Sequence, residues 1–294
     1  MTIKGTIHVV DLKHKIIGIK QYLKIKYFCF NNSQMNIFKR YLYVGNVIEL
    51  DYNLESIKIK NKIACYNVSY VDTLFRVGIN KKIYYDKNLL NKSLSKFFNK
   101  LDNVMILDLE MTMPSFGYKG KSFRAELIQA GYILVDKDGK EILSYSNYVK
   151  PTIAKTINGR AEKFLNISQA DFDIKAISYD EFYEDFKKVY NKYNPAVIIF
   201  GKNDSLVLND SFVINKKNDL NIRYVNICSL IKGYYELKND PGLFKLYQTY
   251  YDVDDNQLHD ALDDAKTTLY VFKAFVDEVN HKIDKVREIR NKFE

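Results

Sequence analysis

The sequence predicts an α/β protein of two parts: a domain with a mixed sheet flanked by helices, preceded by a small all-β barrel. Three observations predict it. Residues 1–100 hold 18 Lys and Arg against 6 Asp and Glu, a net of +12, while residues 101–294 hold 27 against 30, a net of −3. The first third is a series of short apolar or alternating segments separated by polar turns. Beyond residue 101, short wholly apolar runs exchange with amphipathic stretches of helical spacing. A chain of 294 residues can give each part a core of its own.

Five segments make up the predicted barrel: KGTIHVVD, HKIIGIKQ, IKYFCFNN, YVGNVIELDYN and NKIACYNVSYV. In order and wording they resemble a cold-shock-type OB fold over residues 1–78, with Lys4 and Gly5 opening the first strand, IIGI around Gly18 on the second and YFCF on the third. VGNVIEL around Gly45 and ACYNV around Asn67 supply the last two. The resemblance implies that single-stranded nucleic acid stacks on exposed aromatics over a basic groove. Phe28, Phe30 and Tyr27 are the expected substrate-binding aromatics. Ile16, Ile17 and Ile19 stand where such barrels carry aromatics on the second strand, so stacking is weakened or moved to Tyr27 and His14. Burial of Phe28 and Phe30 in the core is the alternative. The charge surplus points the same way, toward a polyanion. A Lys-, Ile-, Asn- and Tyr-rich composition would raise lysine everywhere, yet the surplus stops at about residue 100.

Residues 79–101 are expected to be a connector helix. Leu90, Leu94, Phe97, Phe98 and Leu101 share one helical face with lysines opposite.

Candidate chemistry begins at residue 104. Val104 to Leu107 is a short apolar run that reads as a strand buried on both faces. Asp108 and Glu110 follow at its carboxyl end, on one side of the strand because side chains alternate with period two. Two converging carboxylates suit a hard cation, Mg²⁺ or Mn²⁺, more than zinc. A second apolar run, Ala196 to Phe200, ends at Gly201, and Asp204 stands just beyond, either as a ligand or as a helix N-cap. From Leu258 onward, Ala261, Leu262, Ala265, Leu269, Phe272 and Phe275 recur at helical spacing. His259 lies at the entry of that helix and Asp264 in its second turn; Asp260 and Asp263 read as a solvated face.

Taken together, these residues resemble the DEDD exonucleases in their histidine-bearing branch, which includes ribonuclease T and the polymerase proofreading subunits. The matches are D-x-E-x-T at Asp108, Glu110 and Thr112, G-x-x-D at Gly201 and Asp204, and H-x-A-x-x-D-A at His259, Ala261, Asp264 and Ala265. Glu126 to Ile142 is similar to the family's second-strand hairpin, Ser146 to Pro151 to the strand that follows, and Leu165 to Phe172 to a helix entry. The resemblance covers residues 102–280. MPSFG and IFGKND lean toward the sporulation-inhibitor-like and histone-mRNA-end exonucleases.

The resemblance implies an RNase H-like fold that hydrolyses single-stranded nucleic acid, RNA favoured, from its 3′ end to nucleoside 5′-monophosphates. Asp108 would bridge two divalent ions, with Glu110, Asp204 and Asp264 completing them and His259 acting as general base. Thr112 and the backbone from Glu110 to Met111 would hold the terminal sugar, and Met111 would pack on the terminal base. A DNA repair or proofreading exonuclease and a non-catalytic nucleic-acid-binding protein are the alternatives.

Residues 281–294 alternate in charge and are expected to be an exposed helix end. No apolar stretch approaches the length of a membrane span and no secretory leader pattern opens the chain. Cys29, Cys65 and Cys228 lack metal-ligand spacing and fit thiols of a reducing cytoplasm.

Overall fold

All five barrel segments form strands in the computed structural model, which describes residues 1–120, 123–254 and 260–293. They are β1 (Thr2–Asp11), β2 (Ile16–Gln21), β3 (Lys24–Cys29), β4 (Asn46–Lys60) and β5 (Ile63–Arg76). A short helix, α1 (Asn32–Phe38), falls between β3 and β4. It starts on a capping box, in which the Asn31 side chain accepts from the Gln34 N–H and the Gln34 side chain accepts from Asn31. The strand order is β3-β2-β1-β4-β5, and a parallel pairing of β3 with β5 (Phe28 with Tyr66, Cys29 with Asn67) closes it into an OB-like barrel.

Closure decides which side chains fill the interior. Phe28 is 0% exposed and Phe30 1%, packed with Ile7, Ile17, Ile48 and Leu50. Phe28 meets Tyr52 edge to face at 5.1 Å, and Phe30 meets Phe38 at 6.4 Å. The two phenylalanines expected to stack on bases are therefore core residues. Tyr27, of opposite parity on β3, is half-buried on the outer face, where it packs beside Ile16, Cys29 and Cys65. A Cβ on Gly18 would stand 3.1 Å from the Tyr27 ring, so a side chain there would compete with it for space.

The next elements correct the connector. Residues Lys82–Asp86 form a sixth strand, β6, antiparallel to β5, and only then does α2 (Lys87–Phe98) begin. Ile83, Tyr84 and Tyr85 favour an extended strand and find one to pair with.

The chain divides into two compact units, and the division does not follow sequence order. The first comprises Met1–Lys96 with Ile231–Pro241 and Asp277–Glu294. Glu236 ties 231–241 into this unit: its buried carboxylate accepts from Gln34 Nε2 and from the Val71 N–H, both at 3.1 Å, and lies 3.8 Å from Arg290 Nη1. The terminal segment carries a helix (Val286–Phe293) with Ile289 and Arg290 buried, so it is not an exposed end.

The second unit comprises Phe97–Leu230 with Gly242–Val276. Its strands are β7 (Asn103–Met111), β8 (Leu127–Asp136), β9 (Glu141–Tyr148), β10 (Ala196–Ile199) and β11 (Tyr224–Asn226). They form a mixed sheet in the order β11-β10-β7-β8-β9, parallel at β7–β10 and β10–β11 and antiparallel at β7–β8 and β8–β9. Between β9 and β10 run α3 (Gly159–Leu165), α4 (Gln169–Lys175) and α5 (Tyr179–Tyr193). Then follow α6 (Asn203–Ile214), α7 (Ile227–Tyr234), α8 (Leu243–Tyr251) and α9 (Ala261–Val279). The expected helix entry is the start of α4, where Ser168 caps the Asp171 N–H.

On one face of this sheet Met105, Leu107 and Leu109 of β7 and Ala130, Tyr132 and Leu134 of β8 pack with Phe182 and Phe186 of α5 and Leu208 and Phe212 of α6. Alternation then sends Ile106, Asp108 and Glu110 to the opposite face. Among the described residues, no helix is long and apolar enough to cross a membrane.

Candidate active site

Pairing across β7 and β8 sets the floor of the site. Asp108 lies opposite Gly131, and Glu110 opposite Gln129. Paired residues of an antiparallel ladder share a face, so all four point the same way. Gly131 is where α9 comes down: a Cβ there would lie 2.3 Å from the Ala261 carbonyl carbon and 2.3 Å from the Leu262 nitrogen. Only a residue without a side chain lets helix backbone approach strand backbone this closely. Gln129 fastens the same turn. Its Nε2 donates to Asp260 Oδ2 at 2.7 Å and its Oε1 accepts from the Ala261 N–H at 3.4 Å. Asp260 also accepts from the N–H groups of Leu262 and Asp263, at 3.0 and 3.3 Å, and so caps α9. Asp260 thus has a structural task rather than a place on a solvated face. Asp263, half-exposed and paired with Lys266 at 2.7 Å, does lie on that face.

One turn further along α9, Asp264 completes the cluster. Carboxylate oxygens of Asp108, Glu110 and Asp264 all lie within 4.8 Å of one another. Asp204 approaches from α6. Lys202 holds the N-cap position of that helix without a side-chain bond, and Asp204 sits inside the first turn, where its Oδ1 accepts from the Leu109 N–H at 3.1 Å. It is a buried carboxylate anchored to β7, not an N-cap. Gly201, at φ +103°, makes the turn from β10 into α6 in a region closed to most side chains.

The electrostatics are those of a cation site. Burial pushes Glu110 up to about 8, and Asp264, Asp204 and Asp260 push it the same way. Burial likewise raises Asp108 far above the carboxylate range, reinforced by Asp204, Glu110 and Asp264. Burial takes Asp204 to about 6, against the opposing hydrogen bond from Leu109. Anionic oxygens crowded in this way repel unless a positive charge lies among them. An all-carboxylate donor set fits a hard divalent cation.

Other expected residues are placed as follows. Thr112 is buried; its N–H donates to the Glu126 carbonyl at 2.8 Å, and its Oγ1 accepts from the Glu126 N–H at 2.9 Å. Met111, half-buried, lines a cleft with Phe123, Arg124, Asn203 and Leu206. His259 lies outside the described residues. Sequence reasoning missed Gly131, Gln129 and Glu126. The Glu126 carboxylate receives the N–H groups of Thr152, Ile153 and Ala154 at 2.6–2.8 Å and so orders the chain beyond β9. A glycine inside an otherwise unbroken strand pattern was a signal for Gly131; nothing local marks the other two.

Residues 105–272, more than half of the chain, match the family described as RNase T, Exonuclease. The chain belongs to the RNase T exonuclease family. Among proteins similar to this exonuclease is the "Probable 3′-5′ exonuclease KapD" of Bacillus subtilis (strain 168), 28% identical over 180 residues, which are 58% of this chain and 83% of that protein. In fold, the exonuclease domain is similar to the nuclease domain of 3′hExo, a DEDDh family member bound to rAMP (TM-score 0.51, 20% identity, 62% of this chain and 94% of that one). It is also similar to cell-death related nuclease 4 (TM-score 0.51, 20% identity, 62% and 64%).

Proposed function

We propose that this exonuclease is of the DEDDh type and acts from the 3′ end of single-stranded nucleic acid, RNA in preference to DNA, releasing nucleoside 5′-monophosphates. The observation that carries this reading is the convergence of Asp108, Glu110 and Asp264, from a strand end and a helix, with Asp204 anchored beside them. The name of the Bacillus relative supports the polarity. The lean toward RNA rests on the likeness of the barrel to cold-shock domains.

Asp108, Glu110, Asp204 and Asp264 would hold two divalent cations, Mg²⁺ or Mn²⁺. Such ions, when bound, stabilise the negative charge that builds on the phosphate and acidify water. The protein contributes position. Asp108 and Glu110 are fixed by the β7–β8 ladder, Asp264 by the seating of α9 on Gly131, and Asp204 by its bond to Leu109. His259, directly before the capping Asp260, takes the proton of the attacking water, a task suited to an imidazole of ordinary pKa near ~6.5. Met111 packs against the terminal base beside the cleft it lines, and the Thr112 hydroxyl, whose oxygen already accepts from Glu126, keeps its proton for the terminal sugar.

Matched RNA and DNA oligomers labelled at the 5′ end, incubated with Mg²⁺ or Mn²⁺, test the reading. A descending ladder, faster on RNA, is expected; a 3′ label should appear only as mononucleotide. Internal fragments at early times would refute exonucleolytic action. His259→Ala should lower turnover by roughly 10²–10⁴-fold while metal-dependent substrate binding persists. His281→Ala should be nearly silent, and equal losses from the two histidines would remove His259 from the role.

A further inference from the structure

With Phe28 and Phe30 in its core, the barrel cannot grip a strand by stacking bases on that pair, yet the first hundred residues carry a net of +12. Three lysines of that stretch meet a fourth, Lys238, at a cleft of about 290 Å³. Lys15 comes from the β1–β2 turn, Lys58 and Lys60 from the end of β4, and Lys238 from the 231–241 segment that belongs to the same unit. Asn31 and Asn67 line it between them. Three stretches far apart in sequence thus deliver ammonium groups to one place. Lys15 Nζ donates to Asn32 Oδ1, and Lys60 Nζ to the Phe30 carbonyl at 3.4 Å, which hold both groups at the rim. Among the described residues none of the four lysines forms an ion pair with a carboxylate, unlike Lys4, Lys232, Lys282 and Lys285 of the same unit.

We propose that this cleft is a phosphodiester-binding site that holds the backbone of a single-stranded nucleic acid. It rests on the exonuclease reading only for the identity of the strand. Lysines without carboxylate partners attract phosphate, and asparagine amides can donate to phosphate or sugar oxygens without reading a base sequence. A grip led by the backbone and indifferent to sequence suits an enzyme whose substrate must shift by one nucleotide after every cut. Four lysines and three asparagines line the cleft against three apolar walls, Cys29, Phe30 and Val68, a balance that suits a charged backbone more than the apolar centre a specific acidic protein would call for.

The test uses the full chain carrying Lys15→Gln, Lys58→Gln, Lys60→Gln and Lys238→Gln, with a control of equal charge change at exposed positions elsewhere: Lys39→Gln, Lys92→Gln, Lys96→Gln and Lys137→Gln. Thermal melting first shows that both fold as the wild type does. Binding of an unstructured oligonucleotide is then followed by fluorescence anisotropy against salt, with chelator present so that nothing is cut. Each phosphate contact removed lowers the log–log slope by roughly 0.7, so the cleft variant should lose about 2 to 3 in slope and bind at least about tenfold more weakly. The control should lose far less. Equal slope loss in both variants would reduce the effect to net charge and overturn the site. Displacement of the oligonucleotide by polyglutamate as readily as by unlabelled oligonucleotide would also overturn it. Release of mononucleotides by the wild type is scored separately, so failure of the exonuclease reading is distinguishable from failure of the cleft.

Discussion

Each unit of this protein buries carboxylates, and the two differ in how the negative charge is met. Glu236 in the first unit faces donors: the Gln34 amide, the Val71 N–H and the Arg290 guanidinium. In the second unit, the charges that act on Glu110 are those of Asp264, Asp204 and Asp260, every one of them negative. A fold can afford a buried carboxylate when its own groups complete it, as at Glu236. Where a fold instead gathers several carboxylates against one another on a rigid sheet and helix, it leaves their completion to a cation.

The largest effect that would sharpen this contrast is on turnover. Asp108→Ala should lower hydrolysis about 10³-fold or more with either Mg²⁺ or Mn²⁺, and chelation should do the same to the wild type. Glu236→Gln, by contrast, should leave turnover within a factor of about two. Retention of most activity in the Asp108 variant would break the comparison.

A second effect probes placement rather than charge. Gly131→Ala inserts a methyl where the Ala261 and Leu262 backbone now lies 2.3 Å away, so α9 and Asp264 must lift from the sheet. A shift of about 1 Å in a ligand costs roughly 10²-fold. Turnover should fall by that order, together with weaker metal binding measured by calorimetry, while circular dichroism stays native.

Third comes stability against pH in chelated protein. Glu110 at about 8 and Asp204 at about 6 are raised above ordinary carboxylates, so the folded state holds their protons more tightly than the unfolded one. Their contribution is complete below about pH 4 and is lost as pH rises through 8, on the order of a few kcal/mol. Melting temperature of the chelated protein should therefore fall from pH 5 to pH 8. Added Mg²⁺ or Mn²⁺ should restore it, most at pH 8, and much less in the Asp108 variant. No rise with divalent ions would break the contrast.

The smallest effect belongs to Glu236, which burial takes to about 7 in spite of Arg290. By the same sign, its contribution is present below about pH 4.5 and is lost by pH 7, about 3 kcal/mol at most. Glu236→Gln should flatten that part of the melting profile with or without metal, whereas the divalent-ion rescue should persist.

How much of the site was legible follows from the range of each rule. Asp108 and Glu110 were readable as a pair because period two is a local property of any strand, and Asp264 was readable because small residues at helical spacing mark a packed face. Their meeting was not local. It depends on α9 seating against Gly131, a contact across 130 positions that the helix pattern does not contain. Asp204 illustrates the limit: its sequence neighbours suit an N-cap, and only the bond to Leu109 assigns it elsewhere.

In the barrel, sequence alone determined the five strands, since each alternating segment and its turns are set by nearest neighbours. It also determined that alternate residues of β3 part company. Which parity turns inward was decided by closure, because pairing β3 with β5 gives the strand an inside, and the inside took Phe28 and Phe30 and left Tyr27 on the outer face. Sequence order likewise suggested consecutive domains, but burial of Glu236, Ile289 and Arg290 drew two late segments into the first unit. Alternation and helical period are written in a few neighbouring residues. The side of a sheet that faces a core, and the distant segment that covers it, are properties of surfaces that exist only once the chain has folded.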